Sequence, residues 1–196
     1  MNKSIQSILV ALALVACGGS EPEVESHSHH AEHHPEHAGG EESADMEAPV
    51  TLVAAMNPTE GNTVSGTVTF SEDGEQVRVD VALTGLEPGT SHGFHVHEVG
   101  DCSAPDGTSA GGHFNPGGHD HGLPDGEGHR HAGDMGNVDA DESGAVNTTM
   151  HFDNLALDGE TGIDGRSVIV HAGADDGGQP TGNAGARIAC GVITAP

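Results

Sequence analysis

The chain has 196 residues and a formal net charge of −26, with 31 acidic side chains against five Lys and Arg. A surface that binds nucleic acid needs clustered Lys and Arg, so this composition excludes one. Glycine is abundant (31 residues) and aromatic side chains make up 2% of the chain, which favours one turn-rich β domain with a tail.

The first 16 residues have the pattern of a signal peptide. Lys3 supplies one positive charge, and the apolar run that follows, Ile5 to Ala16, is too short to span a membrane comfortably. The run ends in Leu14-Val15-Ala16-Cys17, which resembles the lipobox of bacterial lipoproteins and implies lipidation of Cys17. The alternative is an ordinary signal peptide with an incidental cysteine. We expect an exported lipoprotein, periplasmic or at the cell surface of a bacterium, with a lipid anchor in a membrane.

Residues 17–48 are predicted to form a lipidated, disordered tail, because their composition cannot bury a core. They hold nine acidic residues and no Lys or Arg. Two interpretations are compatible: a spacer beside the membrane, and a segment that binds extra Cu, Zn or Ni, since imidazole suits these ions. The tail histidines are His27, His29, His30, His33, His34 and His37.

From residue 49 to 196, short apolar runs alternate with Gly-rich turns, which predicts β-strands. Two alternating runs, residues 63–70 and 77–83, flank Asp73-Gly74, a hairpin turn signal. Such a succession favours an antiparallel sandwich or barrel. Four further strands are predicted at Gly93–Glu98, Val146–Phe152, Val168–Val170 and Ile188–Ile193.

His95 and His97 lie two residues apart in the predicted Gly93–Glu98 strand. Alternate residues of a strand share a face, so both imidazoles can bind one metal ion. Imidazole suits Zn, Cu, Fe and Ni. Two ordinary surface histidines would give the same pair, so the pair alone does not decide between these interpretations.

The segment between Gly100 and Gly136 shows almost no periodicity, and a structureless stretch of this length needs a reason. Metal ligation and a disulfide would supply one. Cys102 and Cys190 predict that disulfide, as an even pair in an exported chain. His171 ends another predicted strand. The candidate ligands within the segment are His113, His119, His121, His129, His131 and Asp134.

Five segments of the chain, in matching order, resemble the copper/zinc superoxide dismutase family. The resemblance covers residues 50–196 and implies an all-β, eight-stranded antiparallel Greek-key barrel or flattened sandwich with long metal-binding and electrostatic loops. It implies dismutation of superoxide to dioxygen and hydrogen peroxide, which the predicted signal peptide would place outside the cytoplasm. The segments are Gly93-Phe94-His95-Val96-His97-Glu98, Gly100-Asp101-Cys102, Gly112-His113-Phe114-Asn115-Pro116, Arg130-His131-Ala132-Gly133-Asp134 and Gly182-Asn183-Ala184-Gly185-Ala186-Arg187-Ile188-Ala189-Cys190-Gly191-Val192-Ile193.

By position, the resemblance implies two metal sites that share one histidine. Copper cycles between Cu(II) and Cu(I), while zinc has no redox role and suits a closed site. The implied copper ligands are His95, His97, His113 and His171, and the implied zinc ligands are His113, His121, His131 and Asp134.

Two choices within the loop rest on local context. His121 is preferred to His119 because His-Gly-x-Pro begins at His121, as in the family. His131 is preferred to His129 because His-x-Gly-Asp begins at His131. We therefore expect His119 and His129 to face solvent.

The resemblance also gives roles to Asp175 and Arg187. Asp175 should accept hydrogen bonds from the far nitrogens of His95 and His121 and fix both rings. Arg187 should hold the superoxide anion beside copper, because its guanidinium stays charged and offers several donors. The alternative function, a copper or zinc carrier or metal-sequestering lipoprotein on the same fold, has no need of such an arginine. The motifs leave a homodimer open.

Overall fold

The computed structural model describes residues 50–196, which form eight β-strands and one short 3-10 helix, Thr108–Ala110. The signal peptide, Cys17 and the His-rich tail lie outside the described residues, so those expectations stay predictions. Within the described range, no helix is long and apolar enough to cross a bilayer. The strands are β1 (Thr51–Pro58), β2 (Ser65–Asp73), β3 (Gln76–Thr84), β4 (Ser91–His97), β5 (Asp134–Asp139), β6 (Val146–Phe152), β7 (Ser167–His171) and β8 (Arg187–Thr194).

The strands follow the order β5-β4-β7-β8-β1-β2-β3-β6, and every pair is antiparallel. The connections from β3 to β4 and from β6 to β7 cross between the two halves of this sheet, as in a Greek key. The sheet curls into a nearly closed barrel with β5 and β6 as its end strands. The all-β, eight-stranded Greek-key prediction is confirmed.

Apolar side chains at alternate positions of the strands point inward and form the core of the barrel. Val68 and Phe70 of β2 lie opposite Val81 and Val79 of β3, and all four side chains are buried in one core cluster. Fully burying a side chain of this kind contributes roughly 1.5–3 kcal/mol. The hairpin predicted at Asp73-Gly74 joins these two strands, and Gly74 has the positive φ of 65° that such a turn requires.

The two faces of β4 have different surroundings. Phe94 and Val96 point into the barrel core, whereas His95 and His97 lie on the opposite face. Both histidines are nevertheless buried, because the loops between strands cover this outer face. The predicted common face of the two imidazoles is confirmed, and it lies outside the barrel.

Candidate metal centre

A short backbone ladder brings the ligand loop against β4. Val96 N donates to Gly133 O at 2.9 Å, Phe114 N donates to Val96 O at 2.9 Å, and Gly133 N donates to Phe114 O at 2.8 Å. A Cβ on Gly133 would lie 2.2 Å from Val96 O, so only glycine permits this approach. The ladder places His113 beside His97, with which it forms an isolated β-bridge.

Four histidine side chains converge on the outer face of β4 and β7, with ligand atoms within 4.8 Å of one another. In each ring one nitrogen is buried and has no hydrogen-bond partner among residues 50–196. A buried polar atom without a partner costs about 1–3 kcal/mol, and a metal ion would satisfy all four. This donor set fits copper. The four atoms are His95 Nδ1, His97 Nε2, His113 Nε2 and His171 Nε2.

The other nitrogen of three of these rings is held by oxygen. His97 Nδ1 lies 3.0 Å from Gly111 O, and His171 Nδ1 lies 3.1 Å from Gly185 O. His95 Nε2 lies 2.8 Å from a carboxylate oxygen of Asp175. A ring nitrogen facing an oxygen carries the proton, so the opposite nitrogen keeps its lone pair for a metal.

A second set surrounds one carboxylate oxygen of Asp134. Asp134 Oδ1 lies 2.8 Å from Nδ1 of His113 and 3.0 Å from Nδ1 of both His121 and His131. All four residues are buried. Three imidazoles and one carboxylate in a closed cluster are a donor set that fits zinc. His113 presents Nδ1 to this set and Nε2 to the first, so one ring serves both.

Asp175 lies behind both sets, with its Oδ2 2.8 Å from His95 Nε2 and its Oδ1 3.0 Å from His121 Nε2. The expected contacts of Asp175 are thus present. Asn137 fixes the backbone of Asp175, donating to its carbonyl at 2.9 Å and accepting from its N–H at 2.7 Å. Sequence reasoning missed Asn137, because nothing in its local context marks it as a support for a distant loop.

The protonation states favour metal binding. Burial lowers the pKa of His171 to about 3, with His95 adding to the effect, and burial also lowers the pKa values of His95 and His97. These rings are neutral at physiological pH, as metal ligands must be. For Asp175, burial acts to raise the pKa, but hydrogen bonds from His95 and His121 outweigh it and keep the pKa low.

Arg187 begins β8 and pairs with His171 across the sheet. Its Nη1 donates to Gly107 O at 2.6 Å and its Nη2 donates to Gly111 O at 2.6 Å. Gly111 O also accepts from His97 Nδ1, so one carbonyl contacts both the arginine and a copper-set ring. The sequence pointed to Arg187 but missed Gly107 and Gly111, whose carbonyls depend on the path of the loop.

The predicted disulfide is confirmed: Cys102 and Cys190 are joined, with their Cα atoms 5.8 Å apart. Cys190 lies on β8, three residues after Arg187, and Cys102 begins the loop that carries Gly107 and Gly111. The bridge therefore ties the arginine's strand to the loop whose carbonyls hold its guanidinium.

The structure keeps His119 and His129 out of both sets. Both are exposed, and their rings stack on each other with centroids 4.8 Å apart. The two rings chosen from local context, His121 and His131, are the ones that turn inward to Asp134.

The sequence model described as copper/zinc superoxide dismutase (SODC) matches residues 64–193 of this chain. The chain belongs to that family. It is 45% identical over 159 residues to "Superoxide dismutase [Cu-Zn]" of Paramecium bursaria Chlorella virus 1, covering 77% of this chain and 81% of the viral protein. A solved structure described as "Crystal Structure Analysis of the clock protein EA4" matches with a TM-score of 0.68 and 42% identity, covering 76% of this chain and 96% of the other. As a member of this family the protein is a superoxide dismutase with copper and zinc as its cofactors.

Proposed function

We propose that this protein dismutates superoxide outside the cytoplasm, by the reaction 2 O2•− + 2 H+ → O2 + H2O2. The observation that carries the proposal is the convergence of four buried, unpartnered ring nitrogens next to the Asp134 cluster. When bound, copper supplies one-electron chemistry and zinc supplies a fixed charge. Copper would be held by His95, His97, His113 and His171, and zinc by His113, His121, His131 and Asp134.

Arg187 would bind and orient the substrate anion. Two of its nitrogens already donate to Gly107 O and Gly111 O, which fixes the plane of the guanidinium. A guanidinium has five N–H donors, so donors remain for an anion beside the copper set. Its position opposite His171 supports this role.

His113 would handle the proton as well as hold both metals. Its Nδ1 faces Asp134 and its Nε2 faces the copper set. Nε2 is therefore the atom that would carry a proton between the two halves of the reaction, while Nδ1 keeps the ring in place.

Metal analysis combined with a dismutation assay tests the proposal on the purified full chain. His171→Ala removes a ring that belongs to the copper set alone, so we expect loss of copper and of dismutation with zinc retained. His151 is an exposed histidine on β6, so His151→Ala is the matched control and should keep both metals and the dismutation activity. Wild-type protein that holds both metals without dismutating superoxide would contradict the proposal and favour a metal carrier.

We also propose export and lipidation at Cys17, with a tail, residues 17–48, that captures Cu, Zn or Ni. The lipobox-like Leu14-Val15-Ala16-Cys17 supports the anchor, and the disulfide supports an oxidising compartment. In a bacterial host, wild-type protein should fractionate with membranes and carry the mass of a lipid at its N-terminus. Cys17→Ser should remove the lipid mass and the membrane association, and soluble wild-type protein without lipid would refute the anchor.

A further inference from the structure

Two histidines outside both metal sets meet on the outer side of the ligand loop. His119 and His129 are exposed, and their rings lie 4.8 Å apart between centroids with an interplanar angle of 17°. Each precedes a ring of the Asp134 cluster, His121 or His131, by two residues. The loop therefore turns one histidine of each pair inward and sends the other outward, where the two outer rings come together.

The ring nitrogens of both histidines are free, and the backbone of His119 is anchored. Asn115 Oδ1 accepts from His119 N at 3.0 Å, and Asn115 Nδ2 donates to His119 O at 2.9 Å. Among residues 50–196, no hydrogen bond engages a ring nitrogen of His119 or His129. The backbone of His119 is thus held in place while the ring nitrogens of both histidines remain available.

A cavity of about 410 Å³ adjoins the pair, and His119, His129, Asp153 and Glu160 all line it. Neither Asp153 nor Glu160 has an ion-pair partner within the described part of the chain. Arg130 also lines the cavity, but its guanidinium donates to Asn154 Oδ1 at 2.9 Å and to a backbone carbonyl at 3.3 Å. Two imidazoles and two carboxylates thus line one cavity, although their ligand atoms do not converge within 4.8 Å as those of the two metal sets do.

We propose that His119 and His129 form an accessory, exchangeable site for a divalent transition-metal ion, completed by Asp153 or Glu160. Imidazole nitrogen with carboxylate oxygen suits Zn(II), Cu(II) and Ni(II). Parallel rings cannot aim their lone pairs at one point, so binding requires the two rings to tilt apart. Exposed side chains permit this tilt, because the χ2 torsion of histidine is broad. No step of the proposed dismutation uses this site, so the two proposals stand or fall separately.

Site-resolved NMR distinguishes this pair from the tail histidines. Full-length, 15N-labelled protein loaded with Cu(I) and Zn(II), both diamagnetic, is titrated with Ni(II), which broadens nearby signals. We expect broadening of the Gly117 and Gly128 amides, which flank the pair. His119→Ala and His129→Ala should each weaken the site about 10-fold or more, since losing a ligand costs at least as much as losing an outer partner.

His151→Ala, at another exposed histidine, is the control and should leave the broadening at Gly117 and Gly128 unchanged. The same spectra report whether each variant is folded. Three results would overturn the proposal: no broadening at these amides when the tail is saturated, the same broadening in the double variant, or dependence on one of the two histidines alone.

Discussion

Each ring of the copper set depends on what holds its far nitrogen. Gly111 O and Gly185 O hold His97 and His171, and these are backbone atoms that substitution leaves in place. His95 depends instead on a side chain, Asp175, which also holds His121. A substitution of Asp175, which belongs to neither the copper nor the zinc ligand set, should thus disturb both sets.

Asp175→Asn should lower the affinity for both metals about 10- to 100-fold, the usual cost of losing an outer partner of a ligating histidine. An amide can accept from one ring but cannot accept from both as a carboxylate does. Competition with a chelator measures the effect. Asp139→Asn, at an exposed position of β5, is the control and should retain wild-type affinity. Equal affinities for the two variants would refute the role of Asp175.

Arg187→Ala should reduce kcat/KM for superoxide about 10-fold or more while both metals stay bound. The loss corresponds to one hydrogen bond to a charged group, worth about 1.5–3 kcal/mol. Arg187→Lys keeps the charge but not the paired contacts with Gly107 and Gly111, so it should recover only part of the rate. Arg78→Ala, at an exposed arginine paired with Asp80, should leave the rate unchanged. An unchanged rate in Arg187→Ala would exclude the proposed anion contact.

At the scale of elements, the loop before β8 packs directly against the metal centre. Gly182 has φ +78°, and a Cβ there would lie 2.1 Å from Asp175 Oδ1 and 2.8 Å from His121 Nε2. Gly185 in the same loop has a similar φ of +81°, but a Cβ there would meet nothing within 4 Å. Replacing either glycine would thus strain a backbone with positive φ, but only a side chain at Gly182 would collide with its neighbours.

Gly185→Ala should therefore lose about 1–2 kcal/mol, the cost of a left-handed conformation for an L-residue. Gly182→Ala should lose more, because its methyl group also overlaps Asp175. Only Gly182→Ala should also lose metal affinity, because its methyl group displaces the Asp175 carboxylate. Urea unfolding and chelator competition separate the two effects. Loss of affinity in both variants alike would assign it to backbone strain and not to Asp175.

The disulfide closes a loop between residues 88 apart in sequence. Replacing Cys102 and Cys190 by Ala should lower the free energy of unfolding by up to about 4–5 kcal/mol. Because the bridge ties Arg187 to the carbonyls of Gly107 and Gly111, kcat/KM should fall even where the variant is fully folded and metal-loaded. Denaturant unfolding and dismutation assays test the two parts, and wild-type kcat/KM would contradict the positioning role.

The sequence predicted six of the eight strands, and the two missed strands show what patterning cannot detect. In β1 (Thr51–Pro58), Leu52, Ala54 and Met56 are the buried residues, and alanine is too small to mark an alternation clearly. In β5 (Asp134–Asp139), Gly136 interrupts the run with φ +78°. Both strands are specified by their neighbours in the sheet more than by their own residues.

The candidate ligands were all named from sequence, because each carries its chemistry in the side chain and matches the family by position. The groups that hold these ligands in position were not identified from sequence. Gly107, Gly111 and Gly185 act through backbone carbonyls, and Asn137 acts on a residue 38 positions away. Such contacts depend on the path of the chain in three dimensions, which composition and spacing do not reveal.

The whole molecule carries a net charge of −26, while its substrate is an anion. Attraction to the metal centre must come from Arg187 and the bound ions, because the short loop Gly177–Thr181 has no lysine. Asp106 interacts with Arg187 electrostatically, and both line one cavity. The electrostatic potential near Arg187 thus attracts an anion locally, while the rest of the acidic surface repels it.

We therefore expect kcat/KM to show no steep fall as ionic strength rises, since salt screens the general repulsion together with the attraction. Stopped-flow measurements across a range of salt concentrations test this expectation. Asp106→Asn should raise the low-salt rate more than Asp139→Asn does, because Asp139 lies on β5, away from Arg187. A steep fall of the wild-type rate with added salt would refute the expectation.

The opposite faces of β4 separate the residues that pack the core from the residues that would bind metal. Phe94 and Val96 pack in the apolar core of the barrel, while His95 and His97 lie on its outer face beneath the loops. The residues that pack the core and the residues that would bind metal are thus carried by one strand without sharing a face, so the ligands take no space from the barrel interior.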